Sequence, residues 1–211
     1  MPAGPPSRAT RVRRHPDRGR YERAEIDAIL DEALVCHVGF DDARPFVIPM
    51  IHARVGDTLY LHGSPGSRLL RRLERGIDVC VTATLVDGLV LARSQFHHSL
   101  NYRSAVVLGR ARLVADDGDK RLALRAIVDH VLPGRSDDSR EASPAELLAT
   151  KVLALSIGEA SAKLRTGPPI DDEDDLGLPF WSGVVPLTTT PGPPEPVDPE
   201  LPLPDYLRRF Y

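Results

Sequence analysis

The residues with the most chemical potential stand in three short segments. In Leu59-Tyr60-Leu61-His62-Gly63-Ser64-Pro65-Gly66-Ser67-Arg68, a strand-like run ends in His62-Gly63-Ser64 and a helical pattern opens soon after. The first turn of a helix offers unpaired N–H groups and a positive dipole end to an anion. Ser64 and Ser67 add hydroxyl donors, Gly63 and Gly66 let the backbone come close, and Arg68 supplies a fork for phosphate oxygens. The same residues also serve a purely structural reading, in which Ser64 caps a helix that begins at Pro65.

In the second segment, Phe46-Val47-Ile48-Pro49-Met50-Ile51-His52, a proline interrupts an apolar strand. Proline cannot donate to a ladder, so Pro49 marks a plain edge, a bulge, or a place where a ligand stands in for a neighbouring strand. In the third, Phe96-His97-His98-Ser99-Leu100-Asn101-Tyr102-Arg103-Ser104 crowds aromatic, imidazole, amide and guanidinium groups before a run of strong β-formers. That density suits a pocket lip as well as a solvated loop. His97 and His98 are adjacent, so in extended chain they point opposite ways, and no nearby acid or cysteine completes a metal site.

The rest of the composition narrows the classes. Twenty-seven basic against thirty acidic residues leave a net charge of −3, which argues against a dedicated nucleic-acid binder. Six arginines in residues 1–20 could attract phosphates, but no reading motif accompanies them, and a solvated arm or one wrapping a partner subunit is the simpler expectation. Cys36 and Cys80 lie in apolar runs and read as small packed hydrophobes, too few for a disulfide framework. No apolar stretch has membrane-spanning length and no secretory leader is evident, so the expected location is the cytoplasm.

These segments must be held by a mainly β domain. Residues 1–20 read as a basic, proline-broken tail, 21–185 as the domain, and 186–211 as a proline-rich extension whose closing Tyr206–Tyr211 is apolar enough to dock. Glu22–Ala33 carries Ile26, Ile29, Leu30 and Ala33 on one helical face. Strands are expected at Val35–Phe40, Phe46–Arg54, Thr58–His62, Ile77–Val86, Leu89–Ser94, Ser104–Val114 and Val152–Ile157, with a tight hairpin at Asp87-Gly88. Helices are expected at Ser67–Arg75, Asp119–Leu132 and from Pro144 to Thr150. Six or seven antiparallel strands with peripheral helices make a barrel-like fold.

The ordered set of segments resembles a known group. The Ile48-Pro49-Met50 strand, the Leu61-His62-Gly63-Ser64 end with Ser67-Arg68, the Cys80-Val81-Thr82 strand and Asn101-Tyr102-Arg103-Ser104 before Gly109-Arg110-Ala111 are similar to the pyridoxamine-5′-phosphate-oxidase-like superfamily. The resemblance is to its flavin-nucleotide-binding branch, near the nitroimidazole-resistance proteins, and runs from about Arg13 to Trp181. It implies an FMN-binding split β-barrel and a homodimer with flavin sites between subunits. Ile48, Pro49, Met50 and Ile51 would line the ring edge. His62, Gly63, Ser64, Ser67 and Arg68 would hold the phosphate, and Thr82 would lie near the ring. Asn101, Tyr102, Arg103 and Ser104 would approach the same pocket or cross the interface. Lys163 and Arg165, in a run from Ala160 to Pro169 that resembles the branch's C-terminal basic stretch, and Trp181 are looser candidates. The substrate-phosphate pattern of pyridoxamine-5′-phosphate oxidase itself is not found, which argues against that activity.

The expected function is a flavin-dependent oxidoreductase passing electrons from a reduced nicotinamide or similar donor to a small acceptor, with FMN ahead of FAD or the deazaflavin F420. His97, His98, His52 and Tyr102 are the residues that would handle protons, while His37 reads as a structural histidine. The competing expectation is a binding, storage or sensor protein for flavin or haem, with His52, His97 or His98 as the axial ligand.

Overall fold

The computed structural model describes residues 3–73 and 76–208. Its strands and helices run in the order β1 (Gly19–Arg20), α1 (Arg23–Glu32), β2 (Val35–Asp41), β3 (Pro45–Val55), β4 (Thr58–Gly63), α2 (Arg68–Leu73), β5 (Asp78–Leu91), β6 (Ser99–Arg110), β7 (Arg112–Leu113), α3 (Asp117–Val131), α4 (Pro144–Leu148), β8 (Lys151–Ser156), β9 (Ala160–Arg165), β10 (Gly183–Pro186) and α5 (Asp205–Arg208). Arg75, expected in the second helix, and Arg209, Phe210 and Tyr211 of the closing segment lie outside the described residues.

All ladders are antiparallel, in the order β1-β9-β6-β5-β2-β3-β4-β8-β7, with β10 added to β5. The sheet does not close on itself. It turns its corner within β3, whose Pro45–Ile51 half pairs with β2 and whose His52–Val55 half pairs with β4. Alternation sends Cys36, Val38, Val81, Ala83, Ala105 and Val107 inward, where they meet Leu59, Leu61, Leu153 and Leu155 from the other half and Ile26, Ile29 and Leu30 of α1. Each fully buried leucine or isoleucine contributes about 1.5–3 kcal/mol of transfer free energy. Burial at Cys36 also pushes its thiol up to about 12, so it packs as an inert apolar group.

Two expectations are corrected. The hairpin at Asp87-Gly88 does not exist: β5 is one strand of 14 residues, laddered to β6 through both halves with a register shift between Val86 and Gly88. Asp-Gly served a bulge, because a long partner strand was present to continue pairing. Among the described residues the strands number ten, not six or seven. Ala160-Ser161-Ala162-Lys163-Leu164-Arg165 has weak intrinsic strand character and is a strand because β6 pairs along it. Gly183–Pro186 likewise becomes β10 through β5.

The terminal segments both touch this body. Thr10 is buried, the Val12 N–H donates to the Tyr21 hydroxyl at 2.9 Å, and β1 pairs with β9. After β10 the proline-rich chain runs to α5, where the Tyr206 hydroxyl donates to Asp138 at 2.7 Å and accepts from Arg135 at 2.8 Å.

Candidate functional site

The Phe46–Ile51 half of β3 has β2 on one side and, among the described residues, no strand on the other. This is the edge that Pro49 announced. Alternation divides the predicted ring contacts between two faces: Phe46, Ile48 and Met50 pack toward the core, whereas Val47, Pro49 and Ile51 are exposed on the outer face. His37, expected as a structural histidine, stands exposed on that outer face directly across from Pro49.

α2 reaches toward this open edge through two arginine side chains. The Arg68 guanidinium lies 4.7 Å from the Phe46 ring centroid, a cation–π contact, and Phe46 stacks on Phe40 at 5.6 Å. Arg72 of the same helix pairs with Asp42. The turn before α2 is built as a tight loop: the Ser67 N–H donates to the Ser64 carbonyl at 2.9 Å, and the Gly66 N–H donates to the Ser64 hydroxyl at 3.3 Å. Gly63 lets α2 pack against β4, since a Cβ there would meet Leu70 at 3.2 Å. Ser64, Ser67 and Arg68 are thus placed together beside an unpaired strand edge, with a cation already resting on an aromatic face. Phe46 was missed as a site residue. Its signal was an aromatic at the start of the proline-bearing strand, which also fits core packing.

The second predicted group sits elsewhere in the chain. Asn101, Tyr102, Arg103 and Ser104 belong to β6 itself, not to a loop before it, and β5 and β2 lie between them and β3. Arg165 is buried and donates to the Asn101 side-chain oxygen at 2.5 Å and to the carbonyls of Gly167 and Pro168 at 3.1 Å each. Arg103 is shared between Glu32 of α1, at 2.5 and 2.7 Å, and Asp87 of the β5 bulge, at 2.8 and 3.0 Å. Ser104 and Lys163 are register partners on the outer face, and Thr82 pairs with His37 and Val106 in the next row. One chain therefore does not bring Arg68 and the β6 residues together.

The histidines separate clearly. His52 is fully buried, its Nε2 bonded to the Leu30 carbonyl at 2.8 Å and its ring 4.8 Å from that of His130. Burial lowers it to about 4, so it is neutral at neutral pH. His130 is bonded to the Ala33 carbonyl at 3.0 Å, His97 to Asp172 at 3.0 Å, and His98 to the Ser94 carbonyl at 2.9 Å. His62 turns away from the Ser64–Ser67 loop and lines a cavity of about 450 Å³ between α3 and the segment around residues 136–150. Its Nδ1 is buried without a partner, and burial lowers its pKa.

The strap around residues 171–182 is tied to the end of β5. Asp171 accepts from the Arg93 backbone at 2.7 Å and from its guanidinium at 3.0 Å, while Arg93 also donates to Ser182 at 2.7 Å. Trp181 is largely exposed and lies over Gly183. Among the described residues no group of three or more histidine, cysteine or acidic side chains is arranged to hold a metal ion, and no helix is long and apolar enough to cross a membrane.

This split, antiparallel fold is that of the pyridoxamine-5′-phosphate-oxidase-like flavin-binding superfamily. The chain belongs to the pyridoxamine 5′-phosphate oxidase family, whose model matches residues 22–164. It is similar over nearly its whole length to the flavocytochrome Anf3 from Azotobacter vinelandii, with 42% identity, 99% of each chain covered and a TM-score of 0.91. It is similar also to the FAD and haem binding protein from Mycobacterium smegmatis, with 40% identity over 92% of this chain and 97% of that one and a TM-score of 0.87. A candidate 5-nitroimidazole antibiotic resistance protein from Bacteroides thetaiotaomicron is 28% identical over 69% of this chain and 85% of its own, with a TM-score of 0.59. No curated protein sequence matches the chain.

Proposed function

We propose that this protein is a flavin-nucleotide-binding oxidoreductase that works as a homodimer. The observation that carries the reading is the open Phe46–Ile51 edge with Arg68 stacked on Phe46 beside the Ser64–Ser67 turn. The edge offers backbone N–H and C=O groups to a flat heterocycle, Ser67 and Arg68 offer donors to phosphate, and Pro49 removes one competing donor. The FAD-binding relative favours FAD over FMN. A bound flavin would supply the redox chemistry, taking a hydride or electron pair from a reduced nicotinamide or similar donor and passing it to a small acceptor. The protein's part is to orient the ring along β3 and to exclude water from it.

The homodimer is supported by the separation of the two residue groups. Arg68 and the β3 edge lie at one side of the sheet, and Asn101–Ser104 with Lys163 and Arg165 at the other. A second subunit is the simplest means of bringing them to one ligand. The exposed Val35, Val47, Pro49 and Ile51 give the outer face an apolar strip of the kind that subunits bury.

The reading extends to a second prosthetic group. A flavocytochrome and an FAD and haem binding protein are among the relatives that match nearly the full chain, and the same pair of groups is proposed here.

The flavin site is tested by fluorescence titration of the purified dimer with FAD, FMN and riboflavin. Arg68→Ala should weaken FAD and FMN binding roughly ten- to a hundred-fold, the worth of a charged hydrogen bond, and leave riboflavin unchanged. Equal binding of FAD by wild type and Arg68→Ala would remove the phosphate role, and a wild-type protein that binds no flavin would sink the function itself.

A further inference from the structure

We infer that Arg18, Lys163 and Arg165 form a second phosphate site, apart from the Ser64–Arg68 turn, that takes the phosphate of an adenosine nucleotide; this rests on the flavin-nucleotide reading proposed above. The observation behind it is an arginine without an acid. Arg54, Arg93 and Arg103 are half-buried, and each meets a carboxylate: Asp31, Asp171, and the pair Glu32 and Asp87. Arg165 is more deeply buried, yet among the described residues only neutral oxygens meet it, on Asn101, Gly167 and Pro168. A buried charge with no counter-charge is costly, and an anion within reach offsets that cost.

Strand pairing gathers further cations and a free donor around Arg165. Alternation along β9 sends Ala160, Ala162 and Leu164 to the core and turns Lys163 and Arg165 to the outer face. Tyr102 of β6 is the register partner of Arg165, and its hydroxyl makes no hydrogen bond among the described residues. Gly19 of β1 meets Lys163 from the other side, so Arg18 stands one residue from that pairing. Its N–H donates to the His15 carbonyl at 3.0 Å, which fixes the turn. After burial, the Arg18 charge is the next influence that lowers the Arg165 pKa, so the two cations act on one another. Arg20 is paired with Glu25, whereas neither Arg18 nor Lys163 pairs with an acid among the described residues. Three cations and a hydroxyl without a carboxylate suit a phosphate or pyrophosphate group. In the ligands of the proposed function that group belongs to the adenosine half, either of FAD or of a reduced nicotinamide dinucleotide.

The test is calorimetric titration of the purified full chain with ADP, FAD, FMN and a reduced nicotinamide dinucleotide. Arg18→Gln and Lys163→Gln should each weaken ADP binding about ten-fold, the worth of a charged hydrogen bond. Arg165 is left in place because its hydrogen bonds support the fold. Arg13→Gln with Arg14→Gln, which removes exposed charge from the same arm, should change ADP binding less than about two-fold at physiological salt. Loss of FAD affinity with FMN unchanged would assign the phosphate to the cofactor. Loss of nicotinamide dinucleotide affinity with FAD unchanged would assign it to the donor. If the Arg13 and Arg14 variant weakens ADP as much, the attraction is diffuse and the site is wrong. If wild type binds FAD and neither Arg18→Gln nor Lys163→Gln affects any of these ligands, the site falls while the flavin reading stands. A wild type that binds ADP but no flavin would keep the site and remove that reading.

Discussion

Arg165 and Asn101 form a buried clasp, with Nη1 of the guanidinium donating to the amide oxygen at 2.5 Å and to the Gly167 carbonyl, and Nη2 donating to the Pro168 carbonyl. Burial, and after it the Arg18 charge, lower the Arg165 pKa. The clasp locks the turn that follows β9, where Gly167 takes a φ of 99°. Asn101→Ala should destabilise the fold by about 1.5–3 kcal/mol, the cost of a hydrogen bond to a charged group. Urea denaturation would read this as a lower midpoint at unchanged slope. An unchanged midpoint would mean that water takes over from the amide.

Acid should weaken the protein before its carboxylates titrate. His52 falls from the ordinary 6.5 to about 4 in the fold because of burial, and His62 moves the same way. The unfolded chain therefore binds more protons than the native one between these values, and stability rises with pH across the window. On lowering the pH from about 6.5 toward 4, the slope should reach up to about 1.4 kcal/mol per unit for His52 alone. Denaturation midpoints of wild type and His52→Gln across that range decide the point. Parallel curves would remove His52 as the cause.

Arg103 should matter less than its four hydrogen bonds suggest. Its partners Glu32 and Asp87 are partly exposed, so solvent screens the pairing, and Arg103→Ala should cost about 1 kcal/mol. The clearer readout is Glu32, whose carboxyl the Arg103 hydrogen bond holds below its ordinary 4.5. That contribution is present above the ordinary value and lost as pH falls through the lowered one. In Arg103→Ala the Glu32 titration followed by NMR should move upward, and a static value would show that the bond is not populated in solution.

Gly183 carries the chain's single tryptophan on its open face. A Cβ at position 183 would come within 2.8–2.9 Å of the Trp181 ring. Because that ring is 65% exposed, it can swing outward, so Gly183→Ala should cost under about 1 kcal/mol while shifting the emission to the red. Unaltered emission would place the ring elsewhere.

Much of this architecture was legible from residue order. The β2, β3, β4 and β8 runs, the amphipathic α1 and the edge marked by Pro49 all follow from period and proline chemistry, since each buries its own apolar pattern. What was not legible depended on partners distant in sequence. Asp87-Gly88 reads locally as a turn, and only β6 and β10 lying alongside make it a bulge. β9 carries almost no strand signal of its own. At the candidate site, Ser64, Ser67 and Arg68 were grouped by adjacency and do lie together. His62, adjacent to them, faces the opposite way because strand alternation sends its ring toward α3. Asn101 and Arg165 were visible as polar residues, but their bond spans 64 positions that sequence spacing cannot connect.

The C-terminal arm joins parts of the molecule that share no strand or helix. One end is laddered to β5 at Gly88–Leu91, and the other is anchored by Tyr206 on Arg135 and Asp138, in the turn whose Ser136 walls the His62 cavity. Eight prolines between residues 186 and 205 fix φ along the way, so the connection behaves as a strut of nearly constant length instead of slack chain. One length of chain therefore ties the β5 bulge to the cavity wall, and a cut anywhere between its anchors would release that tie.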